Sequence, residues 1–268
     1  MIQIKTPAEI EKMRAAGLVV GRTLEKLRAA VAPGVTTAEL DELAESAIRA
    51  EGATPSFLGY RGFPATICAS VNEEVVHAIP RRGRVLQEGD VISLDCGAVL
   101  DGYHGDAAVT VVVGAVAPEL AELLRVCEES MWRGFAAARL GGRLSDISAA
   151  VEATVRPYGY GIVEGYGGHG IGTEMHQDPH VLNYGRPGRG PKLVRGMALA
   201  IEPMITMGSP ATRELPDRWT VVTRDGSYAA HFEHTFTLTD DGPWVLTALD
   251  GGAARLHPLL STGAAPGR

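Results

Sequence analysis

The chain has 268 residues, 45% of them hydrophobic and 21% charged, with a net charge of −7. A chain of this length can bury a large core without disulfides or structural metals, and its acidic balance argues against nucleic-acid specificity, which needs a positive face. Cys68, Cys96 and Cys127 form no C-x-x-C pair, no apolar leader opens the sequence, and no apolar run approaches the ~20 residues of a spanning helix; the expectation is a cytoplasmic protein with no membrane contact.

Apolar residues at spacings of three and four predict a helix over 7–30, opened by Thr6-Pro7 with Glu9 behind it. Pro33-Gly34 breaks the chain, and Thr36 with Glu39 has the spacing of a capping box for a second helix to about Ala50. Short strands are expected over 65–71 and 75–79. Runs 90–99 and 103–113 flank Asp101-Gly102, a strong hairpin signal. Helices over 118–139 and 145–156 follow, parted by Gly141-Gly142. GVTTAEL at 34–40 aligns loosely with GGRLSDI at 141–147, an offset of 107 that suggests an internal duplication. Strands are expected over 196–207, 219–223, 228–238 and 244–248. The tail from Gly251, rich in Ala, Gly and Pro, is expected to fray. The pattern predicts an α+β fold: a single domain over 1–250 and a flexible 251–268 tail.

The hairpin carries Asp95 and Asp106. With Asp101-Gly102 as a two-residue turn, Asp106 faces Gly97, and Asp95 lies on the same face, a diagonal of ~7–8 Å. A one-residue slip would part them. Two more predicted strands hold acids among apolar residues, Glu202 in ALAIEPMI and Glu233 in HFEHTF. A lone strand acid is usually solvated, but four in sheet positions are better explained by divalent cations, which remove both the burial cost and the mutual repulsion. His169 sits among glycines in GYGGHGIG, where backbone and ligand can come close. Residues 165–170 also match G-x-G-x-x-G, yet no buried strand precedes them and no helix follows, so a dinucleotide loop is not expected. His176 and His77 are further imidazole candidates. Four carboxylates and one imidazole suit Mn, Fe or Co and tolerate Zn. Two such ions can activate a water and polarise a carbonyl, the chemistry of amide hydrolysis.

The stretches SVNEEVVHAIP (70–80), DCGAVLDGYHGD (95–106), GYGGHGIGTEMHQDPHVLNYG (165–185), AIEPMI (200–205) and FEHTFTLT (232–239) resemble the type I methionine aminopeptidases, of the pita-bread fold with two pseudo-symmetric halves. The resemblance implies removal of the N-terminal methionine from nascent peptides with two divalent ions, Co, Mn, Fe or Zn. It implies that Asp95 chelates one ion, that Asp106 and Glu233 bridge, and that His169 and Glu202 hold the other. Glu202 would also take a proton from the water, His176 would steady the tetrahedral intermediate, and His77 would contact substrate near the scissile amide. Phe57, Tyr60, Phe63, Cys68, Met175 and Trp219 would line the methionine pocket; Phe57, Met175 and Ala78 depart from the usual residues. A monomer that meets the ribosome transiently is expected. The alternatives are an Xaa-Pro aminopeptidase or prolidase of the same fold and a non-catalytic peptide-binding relative.

Overall fold

The computed structural model describes residues 1–262. The first two helices, α1 (Pro7–Ala30) and α2 (Thr37–Ala50), start where their caps predict, with Thr6–Glu9 and Thr36–Glu39 both forming complete capping boxes. Helices α3 (Pro118–Ala137) and α4 (Leu144–Val155) form the second pair, and a 3-10 turn, Arg156–Tyr158, extends α4.

Backbone pairing repeats at the offset read from the sequence. The isolated bridge Thr36↔Val85 in the first half returns as Arg143↔Lys192 in the second. The bonds Gly34 N–H to Leu86 O (2.8 Å) and Leu86 N–H to Val35 O (2.8 Å) return as Gly141 N–H to Leu193 O (2.9 Å) and Leu193 N–H to Gly142 O (2.9 Å). Every partner has moved by the same 107 residues, so the loose sequence alignment reports a structural duplication.

A nine-stranded antiparallel sheet joins the halves. Its path runs Thr54–Pro55, Val91–Leu100, Tyr103–Val112, Glu233–Thr239, Ala198–Ile201, Gly168–Gly170 and Gln177–Val181; Ile67–Val71 and Gly242–Val245 pair alongside. Two three-stranded sheets complete the β-structure. The hairpin register is the expected one, Gly97↔Asp106 and Asp95↔Ala108, because Asp101 and Gly102 both take positive φ (50° and 79°), as a tight two-residue turn requires. One apolar cluster runs through both halves, from Val19 on α1 to Leu256 near the C-terminus. Helix α1 lies close on the chain beneath it: a Cβ at Gly17 would stand 2.4 Å from Leu246 O.

Three expectations need correction. The 196–207 strand is two, Ala198–Ile201 and Met204–Thr206, parted at Glu202-Pro203, where proline has no N–H for the ladder. The 228–238 strand is likewise Ala229–His231 and Glu233–Thr239. The tail does not fray at Gly251: Ala253–Thr262 forms α5, with Leu256 buried and the Asp250 carboxylate accepting from Gly252 N–H (2.9 Å) and Ala254 N–H (2.8 Å). Residues 263–268 lie outside the described part. Among the described residues no helix is long and apolar enough to cross a membrane.

Candidate metal centre

The acids sit on neighbouring strands of the main sheet. Ala108 pairs with Asp95 on one side and with Glu233 on the other, so these two acids flank it on one face. Asp106, two residues before Ala108, shares that face because side chains alternate along a strand. His234 pairs with Ile201; one step further along the same ladder brings Glu233 opposite Glu202. Gly170 pairs with Leu199, which sets His169 beside Ala200, two residues before Glu202. Five adjacent strands thus each contribute one of the expected ligands, at or just beyond the strand.

The glycines flanking His169 are needed for this approach. A Cβ at Gly168 would lie 2.0 Å from Ala200 O, and one at Gly170 2.0 Å from Asp178 O. The His169 ring has a fixed tautomer: its Nδ1 is 2.9 Å from Gly170 O, and a carbonyl only accepts, so Nδ1 carries the proton and Nε2 presents a lone pair. That Nε2 lies 3.5 Å from Glu202 Oε1 and 3.9 Å from Asp106 Oδ2. Ligand atoms of Asp106, His169 and Glu233 lie within 4.8 Å of one another, as do those of Glu202, His231 and Glu233. Asp95 belongs to neither tight group. Backbone pins hold the arrangement: the Thr235 hydroxyl donates to Asp106 O (2.8 Å) and accepts from Asp106 N–H (3.2 Å), and Asn183 Nδ2 donates to Glu202 O (3.0 Å).

The electrostatics are those of a site suited to cations. Asp106 and Glu233 are 4% and 2% exposed. Among the described residues no lysine or arginine pairs with any of the four acids. Oδ1 of Asp95 and of Asp106, and Oε1 of Glu202 and of Glu233, are buried without a hydrogen-bond partner. Burial, then repulsion between neighbours, holds Asp106, Glu202 and Glu233 well above the usual carboxylate range, and burial pushes Asp95 up to about 7. Burial lowers His169 and His231 to about 3 and His77 to about 4, so all three imidazoles are neutral. Orphaned oxygens beside a neutral imidazole are a donor set that fits divalent cations.

The acids form the floor of a cavity of about 760 Å³. Phe57, Tyr60, Phe63, Cys68, Met175 and Trp219 all line it, and Phe57, Phe63, Cys68 and Met175 form one buried cluster with Ala65. Phe63 and Trp219 meet edge to face at 5.1 Å. The His176 ring lies 4.3 Å from that of His169, and its Nδ1 is 2.8 Å from the Tyr60 hydroxyl. His77 follows directly on the strand Glu74–Val76 with φ 61°, a strained backbone for a non-glycine residue, and meets Tyr166 at 5.9 Å. Sequence reasoning named all of these except Ala65, Tyr166 and His231. His231 stands two residues before Glu233, and period-two spacing was the signal available for it.

A family model described as "Metallopeptidase family M24" matches residues 11–240. A methionine aminopeptidase of Clostridium acetobutylicum is 57% identical over 247 residues, covering 92% of this chain and 99% of the relative. The crystal structure of the methionine aminopeptidase of Thermotoga maritima superposes with a TM-score of 0.91 at 44% identity, over 92% of this chain and all of that one. A prolidase of Pyrococcus furiosus, at 23% identity and a TM-score of 0.75, shares the fold, and this chain covers only 65% of it. The chain belongs to metallopeptidase family M24 and, within it, to the methionine aminopeptidases.

Proposed function

We propose that this chain removes the N-terminal methionine from peptides, with Asp95, Asp106, His169, Glu202 and Glu233 holding two divalent cations. Supporting this above all is a cavity whose buried cluster of Phe57, Phe63, Cys68 and Met175 opens onto four acids, two buried and two half-buried, that have no cationic partner. Bound divalent ions supply Lewis acidity and lower the pKa of water. The protein's own groups do the rest. Glu202, facing the His169 imidazole across the cavity floor, accepts a proton from the attacking water and passes it to the leaving amine. His176, oriented by Tyr60, donates to the oxygen that becomes negative. His77, set by its backbone turn at the cavity wall, contacts the peptide beside the scissile amide. Phe57, Tyr60, Phe63, Cys68, Met175 and Trp219 bury the thioether side chain. Residues 1–250 act in this reading as one catalytic unit, monomeric and cytoplasmic, meeting nascent chains in passing at the ribosome.

The test is release of methionine from Met-Ala-Ser peptides after addition of Mn(II), Co(II) or Fe(II), abolished by a chelator. Cleavage of Xaa-Pro bonds in preference to Met-Ala would overturn the substrate assignment. Turnover that survives complete chelation would overturn the metal assignment.

A further inference from the structure

His231 has no part in the ligand set proposed above, yet it is 1% exposed and its Nε2 is buried with no hydrogen-bond partner. That nitrogen stands 4.0 Å from Glu202 Oε2 and 3.9 Å from Glu233 Oε2. Both distances are too long for a hydrogen bond and almost equal. A ring that merely steadied one carboxylate would approach it to about 2.8 Å. Two ligand atoms each about 2.0–2.2 Å from a shared ion lie at most roughly 4.3 Å apart, and both separations fall inside that limit. His169 stands in the same relation to its own acids, at 3.5 and 3.9 Å. Glu202 therefore lies between two imidazoles, with Oε1 toward His169 and Oε2 toward His231.

The backbone is built to hold this position. The Thr110 hydroxyl donates to His231 O (2.7 Å) and accepts from His231 N–H (2.9 Å). His231 is the last residue of its strand, Glu233 the first of the next, and the break at Phe232 lets both side chains face the same acids.

We propose that His231 is a sixth ligand of the metal centre, a second nitrogen donor binding an ion together with Glu202 and Glu233. This rests on the metal-centre reading above. It makes the centre richer in nitrogen than one imidazole allows and shifts its preference toward Zn(II) and Co(II) over Mn(II).

The test uses the full chain stripped of metal, titrated with Zn(II) and with Mn(II) by calorimetry, as wild type, His231→Gln and His169→Ala. His231→Gln keeps the bulk and polarity of the side chain; it is expected to bind Zn(II) at least about tenfold more weakly and to lose less affinity for Mn(II). X-ray absorption on the Zn(II)-loaded wild type is expected to count two imidazoles over the whole centre, and this measurement needs no variant to fold. One imidazole in the wild type, or wild-type Zn(II) affinity in His231→Gln while His169→Ala loses it, would overturn the sixth ligand and leave the five-residue centre standing. No stoichiometric binding by the wild type would overturn both.

Discussion

Replacing Glu233 by glutamine is expected to make the metal-free protein more stable, not less. Glu233 belongs to both tight ligand groups, with atoms of Asp106 and of Glu202 within 4.8 Å. Two unit charges at 4.8 Å repel by about 3.5 kcal/mol at an effective dielectric near 20. Proton uptake by the raised carboxyls relieves more than half of this, which leaves roughly 1–1.7 kcal/mol to be recovered by a neutral amide of the same shape. The amide can also donate to a neighbouring carboxylate. For a domain of this size 1 kcal/mol corresponds to about 2–4 °C, so the chelator-treated variant should melt roughly 2–7 °C above the wild type at pH 8. On addition of Co(II) or Mn(II) the order should reverse, since the wild type gains binding energy and the variant has lost one of the proposed ligands. Differential scanning calorimetry with and without metal reads both effects. A metal-free variant that melts at or below the wild type would refute the reasoning, because the acids would then not be repelling one another.

The same carboxyls set a pH dependence. Their folded pKa values lie above the unfolded ones, so the folded chain retains protons the unfolded chain has lost, and stability falls as pH rises through about 7. The lowered histidines, at about 3 to 4, work the other way, because their unfolded-state imidazoles lose protons through pH 6.5, and Lys5 titrates near 8; from pH 7 to 8, where the carboxyls outweigh both, the metal-free Tm should decline, and a rise would contradict the assignment. Tyr60→Phe removes the hydroxyl at 2.8 Å from His176 Nδ1; kcat should fall about tenfold with metal affinity unchanged, as steady-state kinetics and a metal titration would show. At Gly17 an added Cβ would meet backbone at 2.4 Å, so Gly17→Ala should cost at least about 1–3 kcal/mol in denaturant unfolding, and a neutral result would mean that α1 can slide.

Much of the site was legible because its elements obey short-range rules. Asp101-Gly102 fixes the hairpin register from two residues alone, and that register puts Asp95 and Asp106 on one face. Capping boxes at Thr6 and Thr36 fix two helix starts. The duplication was faint in side chains and clear in the backbone bonds made by Gly34 and Gly141. What stayed hidden depends on long-range contacts or on breaks within apolar runs. Pro203 and Phe232 interrupt strands whose hydrophobicity is continuous, and the second break conceals that His231 and Glu233 converge. The strand Gly168–Gly170 is glycine-rich and carries no strand propensity of its own; pairing with its neighbours imposes it. Helix α5 is set by the Asp250 cap and the burial of Leu256, neither of which shows in a composition of Ala, Gly and Pro.

Anomalous diffraction from crystals of the full chain grown with Mn(II) or Co(II) addresses the convergence of these acids most directly. The account predicts strong peaks bounded by Asp95, Asp106, His169, Glu202 and Glu233, within coordination distance of the oxygens that have no other partner. Cations bound elsewhere, with those five side chains turned apart or paired with lysine and arginine, would contradict it.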